Sequence, residues 1–160
     1  MVNLSNKIDG VILTELKQIY DERGAVLHMF RNDAPEFTTF GECYFSEVQP
    51  GAIKAWKRHR IQTQNLAVPI GRICLVITDT RRDSSSKGVI QTFIMGRPNN
   101  YNRVSIAPGL WYGFKCISDR PALIANCADM PHQPSESEVC EDEDFDISYE
   151  WAQHTTDGLP

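Results

Sequence analysis

The segment that decides the fold covers residues 51–71 and reads GAIKAWKRHRIQTQNLAVPIG. Its glycines and polar residues stand at set intervals: Gly51, five residues, Lys57, one residue, His59, four residues, Gln64, six residues, Gly71. Apolar residues around this polar stretch predict short strands at 53–56 and 65–68. Residues two apart on a strand point to the same face, so we expect Lys57 and His59 to share one.

This spacing resembles the first motif of the cupin superfamily, in which a glycine, two histidines one residue apart, a glutamate and a second glycine recur. The fragment PGLWY at 108–112 resembles the second cupin motif. Lys57, Gln64 and Tyr112 replace a histidine, the glutamate and the last histidine of these motifs. A protonated lysine and a neutral amide are poor ligands for a transition metal. We therefore expect a metal-free pocket without a cofactor, which disfavours a metal-dependent cupin dioxygenase or isomerase.

The composition indicates a small soluble protein. The chain has 160 residues, 41% of them hydrophobic, and we expect one cupin domain over 1–160. The net charge of −5 gives no general attraction for nucleic acid or an anionic membrane. No apolar run approaches the roughly 20 residues that cross a bilayer, and no signal sequence is recognisable. Five scattered cysteines are typical of reduced thiols, so we expect a cytoplasmic protein.

Short strands separated by turns dominate the sequence pattern. Ten segments rich in β-branched, aromatic or alternating apolar residues are predicted as strands: 11–16, 26–30, 43–48, 53–56, 65–68, 73–78, 89–95, 103–106, 113–117 and 122–126. Turns that contain glycine or proline, such as Ala107-Pro108-Gly109, separate many of them. The expected fold class is all-β, a cupin jelly-roll barrel of short antiparallel strands with few short helices.

The chain turns acidic between residues 135 and 146. Seven carboxylates lie in that run: Glu136, Glu138, Glu141, Asp142, Glu143, Asp144 and Asp146. A charge run of this kind favours a solvated segment, here leading to an aromatic anchor at 149–151, over an active-site role. We expect the C-terminal segment 135–160 to pack on the barrel.

Several landmarks, in order, resemble the dTDP-4-dehydrorhamnose 3,5-epimerase family, a cupin branch that epimerises nucleotide-linked 4-keto-6-deoxy sugars without a metal. These landmarks are DERG at 21–24, GAIKAWK at 51–57, GRI at 71–73 with DTR at 79–81, IAPG at 106–109, GF at 113–114, SD at 118–119 and ANCAD at 125–129. The resemblance extends from about residue 20 to 151. It implies a homodimer that exchanges an N-terminal strand, with Arg23 serving the site of the neighbouring subunit.

The chain departs from this family at the positions that carry its chemistry. Lys57 stands where the family has its histidine base, and Ala125 corresponds to the tyrosine that protonates the opposite face. The carboxylate partner of the family's histidine would fall near Asp142. Lys57 is then a candidate base, a stabiliser of the enolate or an amine that attacks the carbonyl. The alternative is an anchor for a phosphate or carboxylate, or a structural ion pair.

The other catalytic candidates are His59, a neutral base on the same strand face as Lys57, and Tyr112, a candidate general acid. A hydrogen-bonded wall residue is the alternative for His59. Arg23 and Lys54 match the family's phosphate-binding arginines, and cations suit a diphosphate. Arg23 is equally compatible with a surface arginine in a turn.

Three further residues are candidates for contacts with the sugar nucleotide. The amides of Gln64 and Asn65 can hydrogen-bond sugar hydroxyls, although residues that pair strands in a barrel have the same composition. Trp111 follows a Pro-Gly turn, where an aromatic ring could stack on a sugar or base or pack in the core.

The sequence thus predicts an epimerase or isomerase of a nucleotide-linked 4-keto-6-deoxyhexose that moves a proton next to the keto group, in surface-polysaccharide or deoxysugar biosynthesis. The predicted partners are a nucleotide-sugar substrate and a second copy of the chain, with no nucleic acid and no membrane. The alternative is a non-catalytic sugar-nucleotide-binding cupin that keeps the pocket but not the chemistry.

Overall fold

A computed structural model describes residues 7–145 and 149–153 of the chain. Their strands are β1 (Val11–Glu15), β2 (Gln18–Asp21), β3 (Gly24–Leu27), β4 (Glu42–Val48), β5 (Ile53–His59), β6 (Gln64–Ile70), β7 (Arg72–Thr78), β8 (Ile90–Gly96), β9 (Asn102–Ile106), β10 (Trp111–Cys116), β11 (Ala122–Ala128) and β12 (Ser137–Val139). Short 3₁₀ helices span Pro134–Glu136, Asp142–Asp144 and Trp151–Gln153. Within these ranges, no helix has the length and apolar character needed to cross a membrane.

The strands form two five-stranded sheets and a separate hairpin. The first sheet has the order β1-β9-β6-β11-β4, the second has the order β12-β5-β10-β7-β8, and β2 pairs with β3. Every described strand pair is antiparallel. The expected all-β jelly-roll class is therefore confirmed, including the small share of helix.

Strand β7 shows how the core is built. Its side chains alternate, so that Ile73, Leu75 and Ile77 join the main core between the sheets. Cys74 and Val76 point to the other side, where aromatic residues of the C-terminal segment cover them. Because both faces are buried, the strand is an unbroken apolar run rather than an alternating one.

The strand boundaries differ from the predicted ones at the edges of the sheets. Strands β2 and β12 were not among the ten predicted segments, and β5 continues past 56 to His59. The basic residues 57–59 do not resemble a strand locally. They are extended because β10 pairs along one edge of β5 and β12 along the other. Pairing with distant segments therefore overrides the local composition.

Candidate active site

A cleft of about 310 Å³ opens between the two sheets, a volume that suits a small ligand. Its lining from the first sheet consists of Tyr44, Ser46, Leu66, Ile124 and Asn126. Its lining from the second sheet and its edge consists of Lys54, Ala55, Trp56, Lys57, Tyr112, Phe114 and Val139. The cleft therefore combines an apolar body with a few polar groups, which is the usual composition of a small-molecule site.

Three buried side chains, Tyr112, His59 and Glu136, are connected by hydrogen bonds that begin at the cleft wall. Tyr112 lines the cleft, and its hydroxyl lies 3.2 Å from Nε2 of His59. Nδ1 of His59 lies 2.8 Å from a carboxylate oxygen of Glu136. His59 and Glu136 are only 4% and 5% exposed. The cleft is thus connected through Tyr112 to a histidine–carboxylate pair that is largely shielded from solvent.

Glu136 is held in place by the backbone of the β5–β6 connection. Its Oε1 accepts hydrogen bonds from the backbone N–H of Ile61 at 3.2 Å and of Gln62 at 3.0 Å. Its other carboxylate oxygen faces His59. The expectation of a solvated acidic run is therefore wrong at Glu136, which is buried. Its hydrogen bonds and its histidine partner compensate the cost of removing the carboxylate from water.

Burial and hydrogen bonding determine which of Tyr112, His59 and Glu136 carries a proton. Burial lowers the pKa of His59, although the hydrogen bond to Glu136 opposes that effect. Burial alone would raise the pKa of Glu136, but hydrogen bonds from His59 and from the backbone of Gln62 and Ile61 lower it. His59 is therefore neutral at pH 7 and donates Nδ1–H to the Glu136 carboxylate, which leaves Nε2 to accept the Tyr112 proton. Burial raises the pKa of Tyr112, which keeps the phenol protonated.

Lys57 lies beside Tyr112 on the cleft wall, since the two residues are partners across β5 and β10. Among the described residues no carboxylate forms an ion pair with Lys57. The structure therefore brings together the three predicted catalytic candidates, Lys57, His59 and Tyr112. Lys54 also lines the cleft, and its ammonium donates to the backbone carbonyl of Glu47 at 2.8 Å.

Strands β5 and β10 approach each other closely at Gly113, next to the pair formed by Lys57 and Tyr112. A Cβ placed on Gly113 would lie 2.5 Å from Cβ of Ala55 and 3.2 Å from the carbonyl oxygen of Lys54. Only glycine fits there without moving a strand, and the register between β5 and β10 shifts at this point. Gly113 thereby allows Tyr112 and Lys57 to lie side by side.

Both predicted substrate-binding amides, Gln64 and Asn65, lie outside the cleft lining. Gln64 is buried and donates from Nε2 to the side chain of Gln62 at 2.6 Å. Asn65 donates to the Cys127 carbonyl at 3.0 Å and accepts from the Ser105 hydroxyl at 2.6 Å. Both amides thus form hydrogen bonds with protein groups and do not line the open cleft.

Trp111 also lies away from the cleft, on the outer face of the second sheet. The guanidinium of Arg58 lies 4.6 Å from the centre of its ring, and Phe145 contacts it edge-on at 5.3 Å. Trp111 and Tyr112 are adjacent on a strand, so they point to opposite faces and only Tyr112 reaches the interior. In this chain Trp111 therefore stacks on protein groups.

Arg23 is remote from the cleft of its own chain. It lies at the tip of the β2–β3 hairpin with its side chain 84% exposed and forms a salt bridge with Asp21 at 2.7 Å. The cleft lining of the same chain does not include it. A role for Arg23 at a cleft requires a second subunit.

Ala125 and Asp142, which the resemblance relates to catalytic positions of the family, have different contacts in this structure. Ile124 and Asn126 line the cleft, so Ala125, between them on β11, points to the opposite side of the sheet. Asp142 accepts hydrogen bonds from the indole N–H groups of Trp56 at 2.7 Å and Trp151 at 3.2 Å. The carboxylate expected near Asp142 is therefore not Asp142 itself, and the carboxylate that contacts a histidine of the site is Glu136.

Sequence reasoning missed four polar residues of the site: Glu136, Tyr44, Ser46 and Asn126. Nothing in the local sequence distinguishes Glu136 from the other carboxylates of its run. Tyr44 had a usable signal, because the alternation in the predicted strand 43–48 places Tyr44 and Ser46 on one face. Both line the cleft.

Comparison with known proteins shows similarity to one family and to two relatives. The family model for dTDP-4-dehydrorhamnose 3,5-epimerase matches residues 5–158. The probable low-salt glycan biosynthesis epimerase Agl13 of Haloferax volcanii is 36% identical over 121 residues, which cover 74% of this chain and 77% of that protein. The spore coat polysaccharide biosynthesis protein SpsL of Bacillus subtilis is 31% identical over 147 residues, covering 90% and 96% respectively.

Among solved structures, the dTDP sugar isomerase of Desulfovibrio desulfuricans G20 is similar in both sequence and fold. It is 48% identical to this chain, and the match covers 91% of this chain and 92% of that one with a TM-score of 0.88. The family model matches nearly the whole chain. Relatives above 30% identity also cover most of it, so these comparisons support the same family.

Proposed function

The chain belongs to the dTDP-4-dehydrorhamnose 3,5-epimerase family, and we propose that it epimerises or isomerises a nucleotide-linked 4-keto-6-deoxyhexose by proton transfer next to the keto group. The named roles of its relatives in glycan and spore coat polysaccharide biosynthesis support a place in surface-polysaccharide or deoxysugar biosynthesis. The name of the similar dTDP sugar isomerase supports a dTDP-linked substrate. A cytoplasmic location fits the use of an activated sugar.

The observation that carries this proposal is the chain from Tyr112 through His59 to Glu136. The Tyr112 hydroxyl donates to neutral His59, so its oxygen lone pairs are free to face the cleft. As Tyr112 takes the proton from the carbon next to the carbonyl, its own proton passes to Nε2 of His59. The C–H electron pair forms the enolate double bond, and the carbonyl pair moves onto oxygen. Glu136 stabilises the imidazolium that results.

Lys57 serves as the stabiliser of the enolate rather than as the base. Its ammonium is available on the wall next to Tyr112, and a fixed cation beside developing negative charge lowers the barrier to forming an enolate. The base role then belongs to Tyr112, with His59 as the group that receives its proton. Delivery of a proton from solvent to the opposite face of that carbon, with the first proton leaving His59 through Tyr112, completes the epimerisation, whereas return to the original face only exchanges hydrogen.

The nucleotide end of the substrate is assigned to two cations. Lys54 lies at the rim of the cleft in the same chain. Arg23 extends on the hairpin and would reach the cleft of a second subunit, so we assign the protein a homodimeric state. Both cations suit the diphosphate of a sugar nucleotide.

Deuterium exchange tests the function directly. The protein is incubated in deuterated water with a dTDP-linked 4-keto-6-deoxyhexose, and deuterium should enter a carbon next to the carbonyl. The Tyr112→Phe variant keeps the ring but loses the proton path, so exchange should fall by about 10²–10⁴. The matched control is Tyr101→Phe, since Tyr101 is a buried tyrosine outside the cleft.

Equal exchange by wild type and Tyr112→Phe would contradict the proposed proton path. Binding of the sugar nucleotide by wild type without any exchange would instead support the non-catalytic binding protein.

A further inference from the structure

Tyr44 is a polar residue of the cleft that the proton path above does not use. It lies on β4, in the sheet opposite Lys57 and Tyr112, and lines the cleft. Its hydroxyl lies 2.9 Å from Nδ2 of Asn126, its partner across β11. The role of Tyr44 depends on which of these two groups donates the hydrogen.

A chain of amides leading away from Asn126 fixes that direction. At its far end, Gln62 contacts the backbone carbonyl of Met130, which can only accept, so the Gln62 NH₂ group must point to it. The Gln62 oxygen therefore faces Nε2 of Gln64, at 2.6 Å. That orientation turns the Gln64 oxygen toward Asn126, which must donate to it.

The other end of the chain gives the same answer independently. The side-chain oxygen of Asn126 lies 3.0 Å from the backbone N–H of Asn65, which can only donate. The Asn126 NH₂ group therefore faces Gln64 and Tyr44, and its two hydrogens go one to each. Tyr44 must accept from Asn126, and its own hydroxyl hydrogen points elsewhere.

The Tyr44 proton is available to a ligand. Among the described residues, no protein acceptor takes the hydrogen of its hydroxyl. Burial raises the pKa of Tyr44, so the phenol stays protonated at neutral pH. Across the cleft the Tyr112 hydroxyl has the opposite role, because it gives its hydrogen to His59 and presents lone pairs. The two tyrosines thus offer an acceptor at Tyr112 on one sheet and a donor at Tyr44 on the other.

We infer that Tyr44 is a further catalytic residue, whose hydroxyl donates a hydrogen bond to the carbonyl oxygen of the bound keto sugar. No proton is transferred; the bond strengthens as charge develops on that oxygen, as for a donor in an oxyanion hole. Gln62, Gln64 and Asn126 are positioning residues that keep Tyr44 in the donor orientation. This inference rests on the proposed function for the identity of the ligand.

The first test is Tyr44→Phe, which removes only the hydroxyl. Deuterium exchange into the dTDP-linked 4-keto-6-deoxyhexose should fall by about 10²–10³, the usual loss for one oxyanion donor. The affinity for dTDP alone should stay unchanged, and Tyr101→Phe should exchange like wild type. Full exchange by Tyr44→Phe would overturn the inference.

The second test reverses the direction of the hydrogen bond while the hydroxyl stays in place. In Asn126→Asp a carboxylate of the same shape can only accept, so Tyr44 should donate to it and no longer to the substrate. Exchange should fall to the level of Tyr44→Phe, with a circular dichroism spectrum like that of wild type. Full exchange by Asn126→Asp would show that the amide chain does not orient Tyr44.

Binding measurements separate failure of this inference from failure of the proposed function. If wild type exchanges no deuterium, the proposed reaction is wrong, and calorimetric titration with dTDP and with the keto sugar nucleotide still tests Tyr44. Tyr44→Phe should lose about tenfold in affinity for the keto sugar nucleotide and none for dTDP, the size of one neutral hydrogen bond. Equal affinities of wild type and variant for both ligands would overturn the role of Tyr44.

Discussion

At the scale of single residues, the proposed proton path depends on a histidine kept neutral beside a carboxylate kept ionised. Burial dominates at His59 and lowers its pKa, whereas hydrogen bonds outweigh burial at Glu136 and lower its pKa. Only the neutral imidazole can receive the Tyr112 proton, and only the ionised carboxylate can stabilise the imidazolium that forms. The proposed reaction therefore requires that neither group binds a proton before the substrate reacts.

This requirement predicts the pH dependence of deuterium exchange. In wild type the rate should be constant at neutral pH and fall as the pH drops through the lowered pKa of His59, below the ordinary value of about 6.5. Glu136→Gln removes the partner that raises the pKa of His59, so the acidic limb should move to still lower pH. The rate at neutral pH should fall by about 10²–10⁴, because the imidazolium loses its counter-charge.

The control is Glu138→Gln, since Glu138 lies two residues further on and pairs with Arg58 and Arg60 instead. Its profile should match that of wild type. An acidic limb of Glu136→Gln that stays in place or moves to higher pH would contradict the assigned roles.

At the scale of elements, the C-terminal segment completes the second sheet and supplies the carboxylate of the site. Strand β12 pairs with the edge of β5, directly after Glu136. Further on, Phe145 stacks on Trp56 at 4.8 Å, and Trp151 lies 5.6 Å from the same ring. Asp142 fastens this aromatic cluster through both indole N–H groups. The segment thereby links stability of the sheet to the position of Glu136.

Asp142→Ala should destabilise the fold, because it removes the carboxylate that accepts hydrogen bonds from two indole N–H groups. The expected loss in the free energy of unfolding is about 1–3 kcal/mol, the size of one or two hydrogen bonds to a charged group when water can partly replace it. Urea denaturation followed by tryptophan fluorescence measures it. Glu143→Ala is the matched control, since Glu143 is an exposed residue of the same 3₁₀ helix. Equal stabilities of the two variants would show that Asp142 does not fasten the segment.

At the scale of the whole molecule, the β2–β3 hairpin presents exposed apolar side chains. Ile19, Tyr20 and Val26 are each more than half exposed on it. Apolar side chains concentrated on one exposed element mark an interaction surface. In the proposed homodimer this surface is covered by the partner, and Arg23 at the tip enters the partner's cleft.

Mixing of variants tests this exchange of Arg23. Arg23→Ala should weaken binding of the sugar nucleotide by about 1.5–3 kcal/mol, and Tyr112→Phe should be nearly inactive. In a heterodimer of the two, the cleft with intact Tyr112 receives Arg23 from the other subunit. An equal mixture should therefore recover about a quarter of wild-type exchange, measured at low substrate concentration, because half of the dimers have one complete site.

The control mixture combines Lys54→Ala with Tyr112→Phe. Lys54 and Tyr112 line the cleft of the same chain, so neither site in this heterodimer is complete and no activity should return. A single-chain mass in sedimentation equilibrium, or no recovery with Arg23→Ala, would contradict the homodimer.

The sequence by itself determined the features that depend on local pattern. Short apolar segments divided by glycine and proline turns predicted an all-β jelly roll, and the order of landmarks identified the family. The two-residue period of a strand placed Lys57 and His59 on one face, because side-chain direction follows directly from extended backbone.

Only the tertiary structure decided which groups meet. Glu136 lies 77 residues from His59 along the chain, and Gln64 lies 62 residues from Asn126. Such partners are set by the register of strands from distant parts of the chain, which no local pattern encodes. The same register sent Trp111 outward and Tyr112 inward, and turned one carboxylate of an acidic run into a buried partner of histidine. A local sequence fixes which residues share a face, whereas the topology of the two sheets decides which face encloses the cleft.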